Sequence, residues 1–98
     1  MNFKEYQELS ARTAQRHENE LLNYALGLNG EAGEVADLVK KANFHGHHVT
    51  VTEIEKELGD VLWYLSQIAS LADIDLRDVA ITNIRKLQKR YPDGFSEE

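Results

Sequence analysis

Apolar residues recur at steps of three and four along most of the chain, with polar residues between them. This spacing is typical of amphipathic helices that bury one face. It predicts helices over residues 3–16, 20–43, 52–72 and 76–91. No stretch alternates apolar and polar residues over a useful length, so no strand is predicted. The short connections favour antiparallel neighbours, and we therefore predict an all-α, four-helix antiparallel bundle.

Three glycines, Gly27, Gly30 and Gly33, interrupt the apolar stripe of the second predicted helix. Each glycine costs about 1 kcal/mol relative to alanine in a helix interior. Either small residues are needed there so that a neighbouring helix or ligand can approach closely, or the helix breaks near Asn29. The first interpretation is favoured, and the second would add a fifth, short helix to the bundle.

Capping residues indicate where the helices begin and end. Thr52 followed three residues later by Glu55 is a capping box, which predicts that the third helix begins at Thr52. Asn19 is the predicted N-cap of the second helix and Asp75 that of the fourth. The fourth helix should stop at Pro92, and the polar stretch at residues 16–19 should turn the chain before the second helix.

Composition limits the functional classes. A length of 98 residues predicts one domain over residues 1–98, small enough for association with a second copy to help its stability. The absence of cysteine fits a reducing cytoplasm. The N-terminus does not resemble a signal peptide, and no apolar run is long enough to span a membrane. The formal net charge of -6 argues against binding to a nucleic acid polymer.

Two acidic pairs stand out, Glu31 with Glu34 and Glu57 with Asp60. Residues three apart lie about 60° apart on one face of a helix. If the two helices pack together, four carboxylates meet, which is unfavourable unless a cation neutralises them. The alternative is an ordinary solvated surface in which these carboxylates pair with nearby lysines.

Ligand chemistry indicates which ion such a site would hold. Carboxylates without cysteine suit Mg²⁺, or Mn²⁺. A di-iron bundle would instead use Glu-x-x-His pairs, and here Glu34 and Asp60 occupy the histidine positions. Because Mg²⁺ often binds through a few carboxylates together with substrate phosphates, the pattern favours phosphate chemistry.

Donors for phosphate are present on the second and fourth helices. Asn83, Lys86 and Arg90 share one face of the fourth helix, and Lys41 lies near the end of the second. The alternative is that the cations only complement the negative ends of the helix dipoles. There is no glycine-rich phosphate loop, so nucleotide folds built on such loops are excluded.

Other candidate groups carry less weight. His45, His47 and His48 could bind a transition metal, but a plain polar turn is favoured. Trp63 and Tyr64 could stack on a base, although core packing or a subunit contact is favoured for Trp63.

The residues that carry these pairs resemble a known family. Three motifs are similar to those of MazG-like nucleoside triphosphate pyrophosphohydrolases. They are Glu31-x-x-Glu34, Glu57-x-x-Asp60 within the sequence ELGDVLWY, and the closing sequence NIRKLQKRYPDGF at residues 83–95. This all-α superfamily also contains dimeric dUTPases and phosphoribosyl-ATP pyrophosphohydrolase. The resemblance covers residues 20–95. The chain departs from the family at Gly30, where these proteins often have another glutamate before the first motif residue.

The resemblance implies a function and an assembly. It implies a homodimer or a homotetramer built as a dimer of dimers, and cleavage of a nucleoside triphosphate between the α and β phosphates. The expected role is housecleaning of the nucleotide pool in the cytoplasm. The implied ligands of Mg²⁺ are Glu31, Glu34, Glu57 and Asp60. The implied phosphate or sugar contacts are Lys41, Asn83, Lys86 and Arg90.

Glu34 and Glu57 are the predicted catalytic residues, with Glu34 expected to orient or deprotonate the attacking water. Two other classes of function remain open. The first is a non-catalytic helical bundle that binds nucleotides or a protein partner through a degenerate metal site. The second, less favoured, is a redox bundle with two metal ions.

Overall fold

The computed structural model describes residues 1–15, 18–44, 46 and 48–94. These residues form four α-helices, which are α1 (Phe3–Ser10), α2 (Glu20–Phe44), α3 (Val51–Leu71) and α4 (Leu76–Arg90). One turn of 3₁₀-helix at Ala11–Thr13 follows α1 directly. No strand occurs within the described ranges, so the predicted all-α class is confirmed. No helix among these residues has the length and apolar character needed to cross a membrane.

Helices α2 and α3 form the centre of the fold as an antiparallel pair. Gly27 of α2 lies against the ring of Tyr64 on α3. One turn further along α2, Glu31 meets Glu57 and Asp60, which precede Tyr64 on α3. Residue numbers of the contacting pairs therefore increase along α2 while they decrease along α3. The two helices run in opposite directions, as the short connection between them predicts.

The glycines of α2 have different roles. A Cβ atom at Gly27 would overlap the Tyr64 ring, whereas nothing lies within 4 Å of one at Gly30 or Gly33. The predicted close approach is therefore confirmed at Gly27, whereas no described part of the chain approaches Gly30 or Gly33. Since α2 is continuous through Asn29, the break that would have created a fifth helix is absent.

Polar side chains fix α1 across α3. The hydroxyls of Ser10 and Ser66 lie 2.9 Å apart, and Gln67 Nε2 donates to Ser10 Oγ at 3.0 Å. Trp63 Nε1 donates to the carbonyl of Ser10 at 3.1 Å. The Trp63 ring also packs edge-on against that of Tyr24, with centroids 5.7 Å apart. Trp63 thus makes a contact inside the chain, as one of its two favoured interpretations predicts.

Gln7 joins α1 to the start of α4. Its amide nitrogen donates to Ser70 Oγ at 3.0 Å and to the carbonyl of Ile74 at 2.9 Å. Its amide oxygen accepts from the backbone N–H of Leu76 at 2.8 Å. Asp75 occupies the predicted N-cap position but makes no capping hydrogen bond with its side chain. The side chain of Gln7 therefore takes the place of a cap, because it accepts from the N–H of Leu76 in the first turn of α4.

Other helix ends also differ from prediction. Helix α3 begins at Val51, with Thr50 as its N-cap accepting from the N–H of Glu53 at 3.1 Å. The predicted start at Thr52 is therefore wrong by one residue. Asn19 precedes α2 with a φ of 59°, a left-handed conformation instead of the extended backbone that N-caps usually adopt.

The first helix is shorter than predicted, since α-helical structure ends at Ser10 and Ala14 is extended. Part of the predicted turn at residues 16–19 lies outside the described residues, as do His45 and His47. The closing sequence is described only as far as Gly94.

Apolar faces that were predicted to be buried are open in the single chain. Leu58 is 52% exposed, Ile84 is 53% exposed and Leu21 is 55% exposed. The accessible surface is 7989 Å², whereas a compact chain of 11.2 kDa should expose about 5,700 Å². The radius of gyration of 16.2 Å also exceeds the roughly 13 Å expected for this length. One chain by itself therefore does not cover its apolar surface.

Candidate metal centre

Three carboxylates converge where α2 and α3 face each other. Glu31 of α2 and Glu57 and Asp60 of α3 each offer one oxygen, and these oxygens all lie within 4.8 Å of one another. Glu57 and Asp60 share a face because they are three residues apart on one helix. The approach of α2 at Gly27 brings Glu31 opposite them. We call Glu31, Glu57 and Asp60 the acidic cluster.

Two oxygens of the acidic cluster are buried without a partner. Glu31 Oε2 and Glu57 Oε2 are both shielded from solvent and make no hydrogen bond. The ion pair shown by the described residues joins Lys41 to Asp37 and involves no member of the cluster. Burying carboxylate oxygens without a donor or cation is unfavourable. Oxygen ligands of this kind fit a hard divalent cation, which would supply the missing partner.

The electrostatics of Glu31 agree with this geometry. Burial raises the pKa of Glu31 above its ordinary value, and the negative charges of Asp60, Glu34 and Glu57 raise it further. Each cause disfavours the ionised form of a carboxyl group. A bound cation would act in the opposite direction, so the site is suited to binding one at neutral pH.

Glu34, the fourth predicted ligand, lies outside the group of three. Its side chain is exposed, whereas Glu31 and Glu57 are half-buried. It still contributes to the potential at the site, because its charge raises the pKa of Glu31. The structure thus brings together three members of the predicted quartet and leaves Glu34 at the edge.

The predicted phosphate contacts do not line the acidic cluster. Lys41 forms an ion pair with Asp37 at 3.0 Å, and both side chains are about half exposed. Asn83 and Lys86 line a separate groove of about 380 Å³ on α4. Arg90 is exposed at the end of the same helix.

Tyr6 lies close enough to the acidic cluster to feel its charge, and the sequence pattern did not connect the two. Burial raises the pKa of Tyr6, and Asp60 of the acidic cluster is near enough to raise it further. Tyr6 also lines a cavity of about 480 Å³, together with Phe3, Leu62 and Arg77. The spacing of Phe3 and Tyr6 is that of a helix core, and nothing in the pattern connects α1 with the carboxylates.

Comparison with known proteins agrees with this arrangement. The family model of the MazG nucleotide pyrophosphohydrolase domain matches residues 19–95. The "Gene 37 protein" of Mycobacterium phage L5 is 42% identical over 73 residues, which are 70% of this chain and 64% of that protein. The chain therefore spans a little under two thirds of that relative's length. No solved structure matches the chain. From the match to the family model, which covers α2, α3 and α4, we conclude that the chain belongs to the MazG nucleotide pyrophosphohydrolase family.

Proposed function

We propose that this chain hydrolyses nucleoside or deoxynucleoside triphosphates to the monophosphate and pyrophosphate, with Mg²⁺ or alternatively Mn²⁺ as cofactor. The acidic cluster is the observation that carries this proposal. Two buried carboxylate oxygens without a partner call for a cation, and the family to which the chain belongs is one of nucleotide pyrophosphohydrolases. The cellular role that we propose is removal of unwanted nucleotides from the pool.

The roles follow from where the carboxylates lie. Glu31, Glu57 and Asp60 would hold the cation, and Glu57 is central because it is half-buried and has a buried oxygen without a partner. When bound, the cation supplies neutralisation of phosphate charge and activation of a water. Glu34 is exposed at the edge of the site and can orient the attacking water and accept its proton. The side chains that we propose as phosphate or sugar contacts are Lys41, Asn83, Lys86 and Arg90.

The proposed reaction breaks one bond and makes one. The water oxygen bonds to the α-phosphorus, in line with the leaving group. The bond between the α-phosphorus and the bridging oxygen breaks, and pyrophosphate leaves with the electron pair. The proton lost by the water passes to a carboxylate, for which Glu34 is the candidate.

We also propose that the working form is a homodimer, or a dimer of dimers. The chain exposes about 2,300 Å² more than a compact chain of its mass should. Obligate homodimers bury roughly 1,000 to 2,500 Å² on each subunit. The excess accessible surface of this chain is therefore about as large as the surface that one subunit of such a homodimer buries.

The test is product analysis of a panel of ribo- and deoxynucleoside triphosphates, canonical and damaged, with Mg²⁺ and with chelator. We expect monophosphate and pyrophosphate to form only with the metal. Glu57→Gln should remove most turnover while the far-ultraviolet circular dichroism is retained. Glu55→Gln, an exposed neighbour on the same helix, is the matched control and should stay active.

Other outcomes would overturn the proposal. Diphosphate with orthophosphate would mean that a different bond is cleaved. Full activity of Glu57→Gln would show that the acidic cluster is not the site. Metal and nucleotide binding without any product would favour a non-catalytic binding bundle instead.

A further inference from the structure

The ring of Tyr64 lies between α2 and α3, one helical turn from the acidic cluster. Its Cε1, Cζ and Oη atoms are those that a Cβ at Gly27 would meet. Gly27 precedes Glu31 by four residues on α2, and Tyr64 follows Asp60 by four residues on α3. Four residues correspond to a rise of about 6 Å. The contact between Gly27 and Tyr64, which we call the spacer contact, is therefore close enough to govern how the carboxylates face each other.

Two other aromatic rings hold the ring of Tyr64 in place. It packs edge-on against Trp63, with centroids 5.0 Å apart, and against Tyr24, with centroids 6.2 Å apart. Trp63 is itself fixed, because its Nε1 also donates to Thr13 Oγ1 at 2.9 Å. The buried Tyr24 donates its hydroxyl to the carbonyl of Gln15 at 3.1 Å. The ring of Tyr64 therefore cannot swing aside without breaking aromatic contacts, so it acts as a rigid spacer between the two helices.

The separation of α2 and α3 decides which cation the carboxylates fit. Mg²⁺ binds oxygens at about 2.0–2.1 Å in a near-ideal octahedron, whereas Ca²⁺ binds them at about 2.3–2.6 Å in a flexible shell. Oxygens on opposite sides of the ion are therefore roughly 0.4–1.2 Å further apart around Ca²⁺. The acidic cluster takes Glu31 from α2 and its other two carboxylates from α3. A change of about 1 Å in the separation of the helices is thus enough to favour one ion over the other.

We propose that the spacer contact holds α2 and α3 at the separation that lets the acidic cluster bind Mg²⁺ in preference to the larger Ca²⁺. The inference deepens the proposed function and rests on it. Gly27 and Tyr64 are positioning residues, because they act on the cation through Glu31 and Asp60. The missing side chain at Gly27 permits the close approach, and the fixed ring of Tyr64 keeps it constant. A site without a fixed separation would favour Ca²⁺, since Mg²⁺ gives up its waters reluctantly and demands regular geometry.

Gly27→Ala tests the separation directly. The added Cβ would lie 2.5 Å from Tyr64 Cζ, whereas carbon atoms in contact are about 3.5–4.0 Å apart. The helices must therefore move apart by about 1 Å. We expect the dissociation constant for Mg²⁺ to rise by about 10-fold or more, and that for Ca²⁺ to change less. Gly30→Ala is the matched control, because nothing lies within 4 Å of a Cβ there, and it should keep the wild-type ratio of the two constants.

Substitutions of Tyr64 test the other side of the spacer contact. Tyr64→Phe keeps Cε1 and Cζ and should keep the wild-type ratio. Tyr64→Leu removes both atoms, so the separation is no longer fixed and the preference for Mg²⁺ should fall by about 10-fold. In Gly27→Ala/Tyr64→Leu the new methyl occupies space that the ring has left, and the preference should return towards the wild-type value. In Gly27→Ala/Tyr64→Phe the overlap remains, and the preference should stay low.

The measurement is thermal unfolding of the full chain at one fixed protein concentration, in chelator and in titrations with Mg²⁺ and with Ca²⁺. The metal-dependent rise in melting temperature gives both dissociation constants without any nucleotide. Each variant is compared with its own melting temperature in chelator, so lower stability alone leaves the ratio unchanged. A purely structural role for Gly27 and Tyr64 also predicts no recovery in Gly27→Ala/Tyr64→Leu.

Each failure has its own signature. If wild type hydrolyses no nucleotide but the ratio follows the spacer contact, the proposed reaction fails and the spacer stands. If wild type is active with Mg²⁺ while Gly27→Ala and Tyr64→Leu keep the wild-type ratio, the proposed function stands and the spacer is wrong. Equal affinities of wild type for the two ions, or no shift with either, would overturn the spacer whatever the product analysis shows. If Gly27→Ala does not fold, equal ratios in Tyr64→Leu and Tyr64→Phe would overturn it.

Discussion

Replacing Glu31 with glutamine should have opposite effects on stability with and without a divalent metal. Relative to wild type, the variant should be more stable without the metal and less stable with it. Glutamine keeps the size of the side chain and removes its charge. In wild type without metal, burial and three neighbouring carboxylates raise the pKa of Glu31. A carboxyl group whose folded pKa is raised favours folding below its unfolded pKa, and that contribution is lost as the pH rises through the folded value. At neutral pH the metal-free chain therefore lacks it.

The distances in the acidic cluster set the size of the effect. Two unit charges 4.8 Å apart repel by about 1 kcal/mol in water and by about 3.5 kcal/mol at an effective dielectric constant of 20. Because Glu31 is half-buried and Asp60 is exposed, solvent screening favours the lower figure. We expect Glu31→Gln to stabilise the metal-free chain by about 1 kcal/mol. For a chain of this size, that is a rise of roughly 4–8 °C in the melting temperature.

Saturating Mg²⁺ should reverse this order. A ligand at 100 times its dissociation constant stabilises the folded state by about 2.7 kcal/mol. Wild type gains this stabilisation, whereas Glu31→Gln loses one charged ligand and should gain little. With metal, wild type should therefore melt above the variant, and in chelator below it.

The assay is thermal unfolding at one fixed protein concentration, because dimer formation makes the melting temperature depend on concentration. The measurements are made in chelator and in excess Mg²⁺, at neutral pH and near pH 4. The advantage of the variant in chelator should shrink as the pH falls through the raised pKa of folded Glu31 and should be lost below about pH 4.3, the ordinary pKa of a glutamate in an unfolded chain. Glu55→Gln should show no inversion. Equal Mg²⁺ shifts for wild type and Glu31→Gln would refute the metal assignment, and lower stability of the variant in chelator would refute the repulsion.

Three further predictions concern neighbouring residues. Gly27→Ala should lower the unfolding free energy by about 1–2 kcal/mol in urea titrations, because the added methyl meets Tyr64, whereas Gly30→Ala should raise it by up to about 1 kcal/mol. Equal effects at the two glycines would contradict the close approach. Glu34→Gln should keep the Mg²⁺ shift of the melting temperature but lower turnover by about 100-fold or more, and a lost shift would make Glu34 a ligand. Because burial and nearby negative charge raise the pKa of Tyr6, its stabilising contribution should be lost as the pH rises above about 10. In an ultraviolet titration of the folded chain, Tyr6→Phe should therefore remove a step that lies above that pH.

The pairing of α2 with α3 was predictable because it is encoded in local spacing. Apolar periodicity gives the two helices, and the pairs of acidic residues mark faces that must meet if the helices are antiparallel. The structure confirms that Glu31 joins Glu57 and Asp60. That Glu34 lies outside this group depends on the rotation of α2 about its own axis, which the contact at Gly27 sets and the sequence pattern does not.

The start of α3 shows why helix ends are harder to predict. Thr50 and Thr52 are each followed three residues later by a glutamate. Both therefore satisfy the capping pattern, and the choice depends on where the preceding chain enters the helix. Thr50 is the observed cap. The placement of α1 was missed for a different reason, because Gln7 and Ser10 hold it by hydrogen bonds that hydrophobic periodicity does not reveal.

The exposed apolar faces have one physical explanation. A periodic apolar stripe predicts that a helix face is covered, but it does not say whether the same chain or another copy covers it. In α4 the stripe is covered at Leu76 and open at Ile84 and Leu87. A second copy that docked on the open part would remove Ile84 and Leu87 from water. Burial of the apolar face would supply free energy of folding that a small bundle with few buried side chains cannot supply alone. Folding and dimer formation would then be coupled, and the melting temperature should fall with protein concentration at the dilution where the dimer dissociates.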